Sequence, residues 1–83
     1  MDKKIKMYTL STCIYCQNAK AWFTKTNIDF DFTDVDLLHE QEKFTILKEI
    51  KEKTGSVSFP TILIGDRVIK GYHPEKYKEA LER

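Results

Sequence analysis

The chain has 83 residues, a length that suits one small domain. Its 14 lysines and arginines nearly cancel 13 aspartates and glutamates, and the net charge of +1 excludes nucleic-acid or membrane binding driven by bulk charge. No apolar run approaches the ~20 residues of a membrane-crossing helix, and the opening "MDKKIKMYTL" is too short and polar for a signal-peptide core, so the chain reads as cytoplasmic; a monomer is expected.

The elements follow in chain order. "KIKMYTL" (4–10) alternates as a strand, with Ile5, Met7 and Thr9 on one face. Ser11 and Thr12 then offer helix N-caps. Ala19, Trp22, Phe23 and Thr26 recur every three or four residues, which predicts a helix over about 14–26 with Asn27 as a left-handed stop. "DFDFTDV" (29–35) predicts a second strand with Phe30 and Phe32 on one face. A strand, a helix and a strand in so short a span imply parallel pairing. Residues 38–55 read as a charged amphipathic helix ended by Gly55. Its apolar stripe is Phe44, Ile46, Leu47 and Ile50, and its lysines and glutamates form a solvated face. In "TILIGDRVIK" (61–70) two β-branched runs flank Gly65-Asp66, a hairpin turn. Pro74 suits the first turn of a last helix that buries Tyr77, Ala80 and Leu81. The order is βαβαββα, an α/β domain over residues 1–83 with a four-stranded mixed sheet flanked by three helices. Met7, Phe23, Phe30, Phe32, Phe44 and Ile62 are expected in its core, with Trp22 half-buried.

Both cysteines lie in "STCIYCQNAK" (11–20), two residues apart at the junction of the first strand and first helix. A cytosolic thiol pair is usually catalytic or sensing, and a staple across so short a loop gains least from chain entropy. A structural metal site needs about four ligands. Cys13, Cys16, His39 and His73 could supply them only at a spacing that fits no finger pattern. A redox pair fits better. At a helix start, free backbone N–H groups and the macrodipole favour a thiolate, and cysteines so placed have pKa values lowered from ~8.5 to about 3.5–7.5. Residues three apart on a helix have side chains ~5–6 Å apart, near disulfide range. Cys13, at the exposed end, is therefore expected to attack a substrate disulfide, and Cys16, deeper, to resolve the mixed disulfide. This chemistry needs no bound metal or organic cofactor. Pro60, just before the third strand, reads either as an ordinary strand-opening proline or as a cis proline in a tight turn.

The ordered set resembles the glutaredoxin family of the thioredoxin-like fold over nearly the whole chain. "YTLSTCIYC" is similar to the family's strand and CPYC segment, and "SFPTILIGDRVIKGY" to the stretch holding its TVP motif and glycine-ended hairpin. The resemblance implies a dithiol oxidoreductase that reduces protein disulfides or glutathione mixed disulfides, with glutathione as a co-substrate. It implies a cis Pro60, substrate pairing along the Phe59 backbone, and a rim of Thr12, Tyr15, Ser58, Phe59, Pro60, Gly71 and Tyr72. Three departures weaken a glutathione site. Leu10 stands where many members carry a cation, Lys70-Gly71 replaces a double glycine, and His73-Pro74 replaces an acidic pair, although Lys70 or Lys6 could supply the missing cation. The same departures weaken an iron–sulfur cluster shared through glutathione. Ile14 also replaces the proline of CPYC and restores an N–H near the thiolate. "KGYHPEKYKEAL" is similar instead to the NrdH-type redoxins, which take electrons from thioredoxin reductase and serve ribonucleotide reductase. That is the alternative reading. A non-catalytic metal-binding or partner-binding module is the third.

Overall fold

The alternating stretch Ile5–Thr9 forms the central strand β1 of a computed structural model that describes residues 4–82. β1 runs parallel to β2 (Asp31–Asp34), with Met7 opposite Phe32, and antiparallel to β3 (Thr61–Ile64), with Met7 opposite Ile62. β3 returns through Gly65-Asp66 into β4 (Arg67–Lys70), and the sheet order is β2-β1-β3-β4. Gly65 takes φ +61°, a left-handed conformation that glycine adopts without a Cβ clash. The helices are α1 (Ile14–Lys25), α2 (Glu40–Thr54) and α3 (Pro74–Leu81), and a 3₁₀ turn at Val35–Leu37 leads into α2. This is the βαβαββα order expected from the sequence, with the parallel pair and the hairpin where the patterns put them.

The strand period of two sends successive β1 side chains to opposite faces, and helices cover both. On one face Ile5, Met7, Ile62, Ile64 and Ile69 meet Ala19 and Phe23 of α1 and Tyr77 and Ala80 of α3. Burying each large apolar side chain there contributes roughly 1.5–3 kcal/mol. Phe23 stacks on Tyr77 with ring centroids 5.2 Å apart, and Trp22 stands edge-on to Phe23 at 4.9 Å. On the other face Tyr8, Val35 and Ile50 form a smaller cluster, joined by Leu10, Ile46, Leu47, Phe59 and Leu63.

Three expectations change. α1 is capped by Cys13, not by Ser11 or Thr12: the Cys13 backbone is extended (φ −85°, ψ 120°) and its sulfur accepts the Cys16 N–H. Phe32 is 49% exposed, because β2 is an edge strand and one flank of it has no neighbour, while Phe30 packs half-buried on the core. Phe44 is 70% exposed. It lies in the second turn of α2, and the contacts with the sheet face are made farther along the helix, by Ile46, Leu47 and Ile50. The stops behave as expected, with Asn27 at φ +61° after α1 and Gly55 at φ +88° after α2.

Candidate active site

The turn from β1 into α1 is built by a few specific bonds. Cys13 N–H donates to the Leu10 carbonyl at 3.2 Å, closing the turn. Ser11 N–H donates to Asp36 Oδ1 at 2.8 Å, and Ser11 Oγ donates to the other carboxylate oxygen of Asp36. These two bonds hold the Asp36 carboxyl below its ordinary range. Gln17 Nε2 reaches back to the Ser11 carbonyl at 3.3 Å. The loop is thereby tied to the 3₁₀ turn after β2, and Cys13 sits at the mouth of α1.

There the Cys16 N–H donates to Cys13 Sγ at 3.2 Å, one of the orphan amides of a helix start directed at a sulfur. Both cysteines are free thiols; Cys13 is partly exposed, whereas Cys16 has 0% of its surface exposed. Burial, and next its hydrogen bond to Cys13, push the Cys16 thiol up to about 12, against smaller downward pulls from the Leu10 backbone and the Lys20 charge. One sulfur is reachable from water, and the other is held behind it as a protonated donor.

Behind Cys16, Lys20 pairs with Asp34 at 3.0 Å and lies 4.0 Å from the centroid of the Phe32 ring, and Thr9 Oγ1 donates to the same Asp34 oxygen. This cluster locks α1 to the ends of β1 and β2.

The loop before β3 forms the opposite bank. The Phe59–Pro60 bond is cis, as the resemblance implied. Thr61 pairs with Tyr8, so Pro60 lies at the end of β1 where the cysteine loop begins, and Phe59 joins the same cluster as Leu10. Thr61 Oγ1 donates to the Ser58 carbonyl at 2.6 Å. Gly71 N–H donates to the Pro60 carbonyl at 2.7 Å, which brings the end of β4 to the same place. Gly71 has φ +92°, a conformation that calls for glycine, and a Cβ there would press on the His73 imidazole at 3.1 Å. Ser58 Oγ is buried without a hydrogen-bond partner among the described residues.

The expected rim thus divides. Pro60 and Gly71 are bonded to each other at the cysteine end of the sheet, with Ser58 and Phe59 beside them. Thr12 and Tyr15 are exposed on the cysteine side, Tyr15 at 61%. Tyr72 is half-buried and packs against the core, edge-on to Tyr77 at 6.3 Å. The two lysines considered as stand-ins for a cation at position 10 are engaged elsewhere. Lys6 Nζ donates to Thr33 Oγ1 at 2.8 Å, and Lys70 Nζ to the Thr54 carbonyl at 3.0 Å and to Ser56 Oγ. His39 and His73 stand at the N-caps of α2 and α3, and among the described residues no three His, Cys, Asp or Glu side chains converge as a metal site. The reading of the sequence missed Asp36, whose only sequence signal is a carboxylate just after the second strand, and Lys20, one helical turn beyond Cys16.

The sequence matches the glutaredoxin family over residues 5–69. Glutaredoxin 1 of Rickettsia prowazekii (strain Madrid E) is 36% identical over 67 residues, which cover 81% of this chain and 67% of that protein. Among solved structures, the methanoredoxin of Methanosarcina acetivorans is similar at a TM-score of 0.88 and 41% identity, over 96% of this chain and 85% of that one. The NrdH-redoxin of Escherichia coli shares the fold at a TM-score of 0.71 and 24% identity, over 92% of each chain. No described helix is long and apolar enough to cross a membrane. With two free thiols at a helix mouth, a cis proline opposite them and a family match across most of its length, the chain belongs to the glutaredoxin family and is a thiol–disulfide oxidoreductase whose redox pair is Cys13 and Cys16.

Proposed function

We propose that Cys13 is the attacking thiol and Cys16 the resolving thiol in the reduction of protein disulfides or glutathione mixed disulfides. The observation that carries the assignment is the asymmetry of the pair: Cys13 Sγ is reachable and accepts an amide, whereas Cys16 is sealed and holds its proton up to about 12. Cys13 thiolate attacks one substrate sulfur, the disulfide breaks, and the other substrate sulfur leaves as a thiolate. Cys16 then gives up its proton and attacks Cys13 Sγ. The mixed disulfide breaks, the second substrate sulfur leaves, and a Cys13–Cys16 disulfide remains. Two electrons from glutathione or from a reductase restore the dithiol. The substrate lies across Thr12, Tyr15, Ser58, Phe59, Gly71 and Tyr72, with the buried Pro60 ring beneath them. The Phe59 backbone pairs with it as a short added strand. The working site is cytoplasmic, and the protein acts as a monomer on disulfide-bearing partners.

Two variants test the roles. Cys13→Ser abolishes exchange with any disulfide. Cys16→Ser accumulates a mixed disulfide on Cys13, detected by mass, yet still removes glutathione from proteins, a reaction that needs one thiol. Full activity in Cys13→Ser would reverse the assignment.

One observation favours the NrdH-type alternative, in which thioredoxin reductase feeds the protein and ribonucleotide reductase consumes its electrons. Leu10 replaces a cation, and the ammonium groups of Lys6 and Lys70 are both bound within the protein. Glutathione's carboxylates therefore have fewer partners. Offering the oxidised protein to glutathione with glutathione reductase, and separately to thioredoxin reductase with NADPH, decides between the donors. Turnover only in the second system establishes the alternative.

A further inference from the structure

The mechanism above makes no use of the buried Tyr77 hydroxyl. Tyr77 of α3 has no exposed surface, and its hydroxyl donates to the Gly71 carbonyl. The N–H of the same Gly71 donates to the Pro60 carbonyl at 2.7 Å. One phenol is thus two hydrogen bonds away from the cis-proline bank. Its ring is also the hub of the aromatic cluster: Phe23 stacks on it at 5.2 Å, Trp22 lies at 5.6 Å, and Tyr72 stands edge-on at 6.3 Å. Both rim residues on this side, Gly71 and Tyr72, therefore rest on Tyr77.

We propose that Tyr77 is a positioning residue for substrate: its hydroxyl sets the orientation of the Gly71 peptide, and through it the Pro60 bank, without taking part in the exchange between sulfurs. The inference rests on the functional reading above and deepens it. Tyr77 lies on the third helix, remote in sequence from both the cysteines and the proline. The Gly71 peptide needs such a fix because its φ of +92° is open to glycine and to few other residues, and a free glycine has several ways to turn. Burial pushes the phenol up to about 12, so it stays a donor across the whole working range of pH. A bond made only to hold a helix could end on any carbonyl. This one ends on Gly71, whose own N–H joins the end of β4 to Pro60.

The test compares reduced wild type with Tyr77→Phe, which keeps the ring and its packing and removes the hydroxyl. Single-turnover reduction of a synthetic peptide disulfide is followed against peptide concentration, and Cys13 alkylation by iodoacetamide is followed against pH. The expected result is a half-saturation concentration raised about fivefold or more, with the limiting rate and the alkylation profile of wild type. Gly71→Ala perturbs the same peptide from its other side and is expected to raise half-saturation as well. In the double variant the two effects are expected to combine to less than their product, because they share one strap. If Tyr77→Phe loses stability, the comparison is made at a temperature where circular dichroism shows both proteins folded. Unchanged half-saturation in an active Tyr77→Phe, or a fall in thermal midpoint alone, overturns the inference and leaves the oxidoreductase reading intact. A wild type that reduces no peptide disulfide overturns both.

Discussion

The two faces of the sheet are built differently. Among the described residues, the face covered by α1 and α3 buries nine core residues, including the stacked Phe23 and Tyr77, whereas the face covered by α2 buries three. The redox helix α1 stands on the deep core. The loop that carries Ser58, Phe59 and Pro60 follows α2 and packs on the shallow one. The difference separates two tasks. The sulfurs must be held to a fixed geometry, and a dense core with aromatic contacts resists displacement. The bank opposite them has to receive substrates, and its backbone is held by discrete bonds, Gly71 to Pro60, Tyr77 to Gly71 and Lys70 to Thr54.

Truncations on the two faces sharpen this contrast. Ile62→Ala, on the deep face, is expected to cost roughly 3–5 kcal/mol in urea unfolding of the reduced protein. Ile50→Ala, on the shallow face, is expected to cost less, about 2–3 kcal/mol, because fewer neighbours lose contact. Equal losses would mean that the two cores are equivalent. Phe44→Ala is expected to change stability by no more than about 0.5 kcal/mol, since the ring is largely in water.

A pH series reads the buried titrating groups, Tyr8 on the shallow face among them, and Cys16 and Tyr77 most strongly. The folded state holds the Cys16 proton up to about 12 from a usual value of 9.0, and the Tyr77 proton up to about 12 from 10.0. Their contribution is fully present below about pH 9. It is lost as pH rises through 12, because the unfolded chain releases these protons first. The thermal midpoint of the reduced protein is therefore expected to fall steadily above pH 9. The oxidised protein, in which Cys16 has no proton to lose, is expected to fall less steeply. Identical slopes would contradict the assignment of the sealed thiol. A modest effect on rate is expected at Asp36. Asp36→Asn removes the charge that accepts two bonds from Ser11 and is expected to slow disulfide exchange by a few-fold with little change in stability. A wild-type rate in this variant would show that the cysteine loop keeps its shape without the carboxylate.

Much of this was legible in the chain itself, and for local reasons. Gly65-Asp66 between β-branched runs specifies a hairpin by turn chemistry alone, and Asn27 and Gly55 stop their helices by conformations that few other residues adopt. The thiol pair declared itself by position at a strand–helix junction. What the sequence hid depends on where elements meet. Phe44 belongs to a correct helical stripe, yet the helix meets the sheet farther along. Phe32 has the right alternation, but it lies on a strand with one open flank. The cap of α1 went to Cys13 because Ser11 was drawn to Asp36, a partner 25 residues away that no periodicity announces. Tyr77 looked like an ordinary core residue, and only the fold directs its hydroxyl to Gly71.

The division of labour between the two sulfurs can be read directly. Reduced protein is treated briefly with iodoacetamide at pH 7, and the adducts are located by peptide mass mapping. A single adduct on Cys13, with Cys16 untouched until the chain is unfolded, is the predicted result. Equal labelling of both thiols, or labelling of Cys16 first, would contradict it.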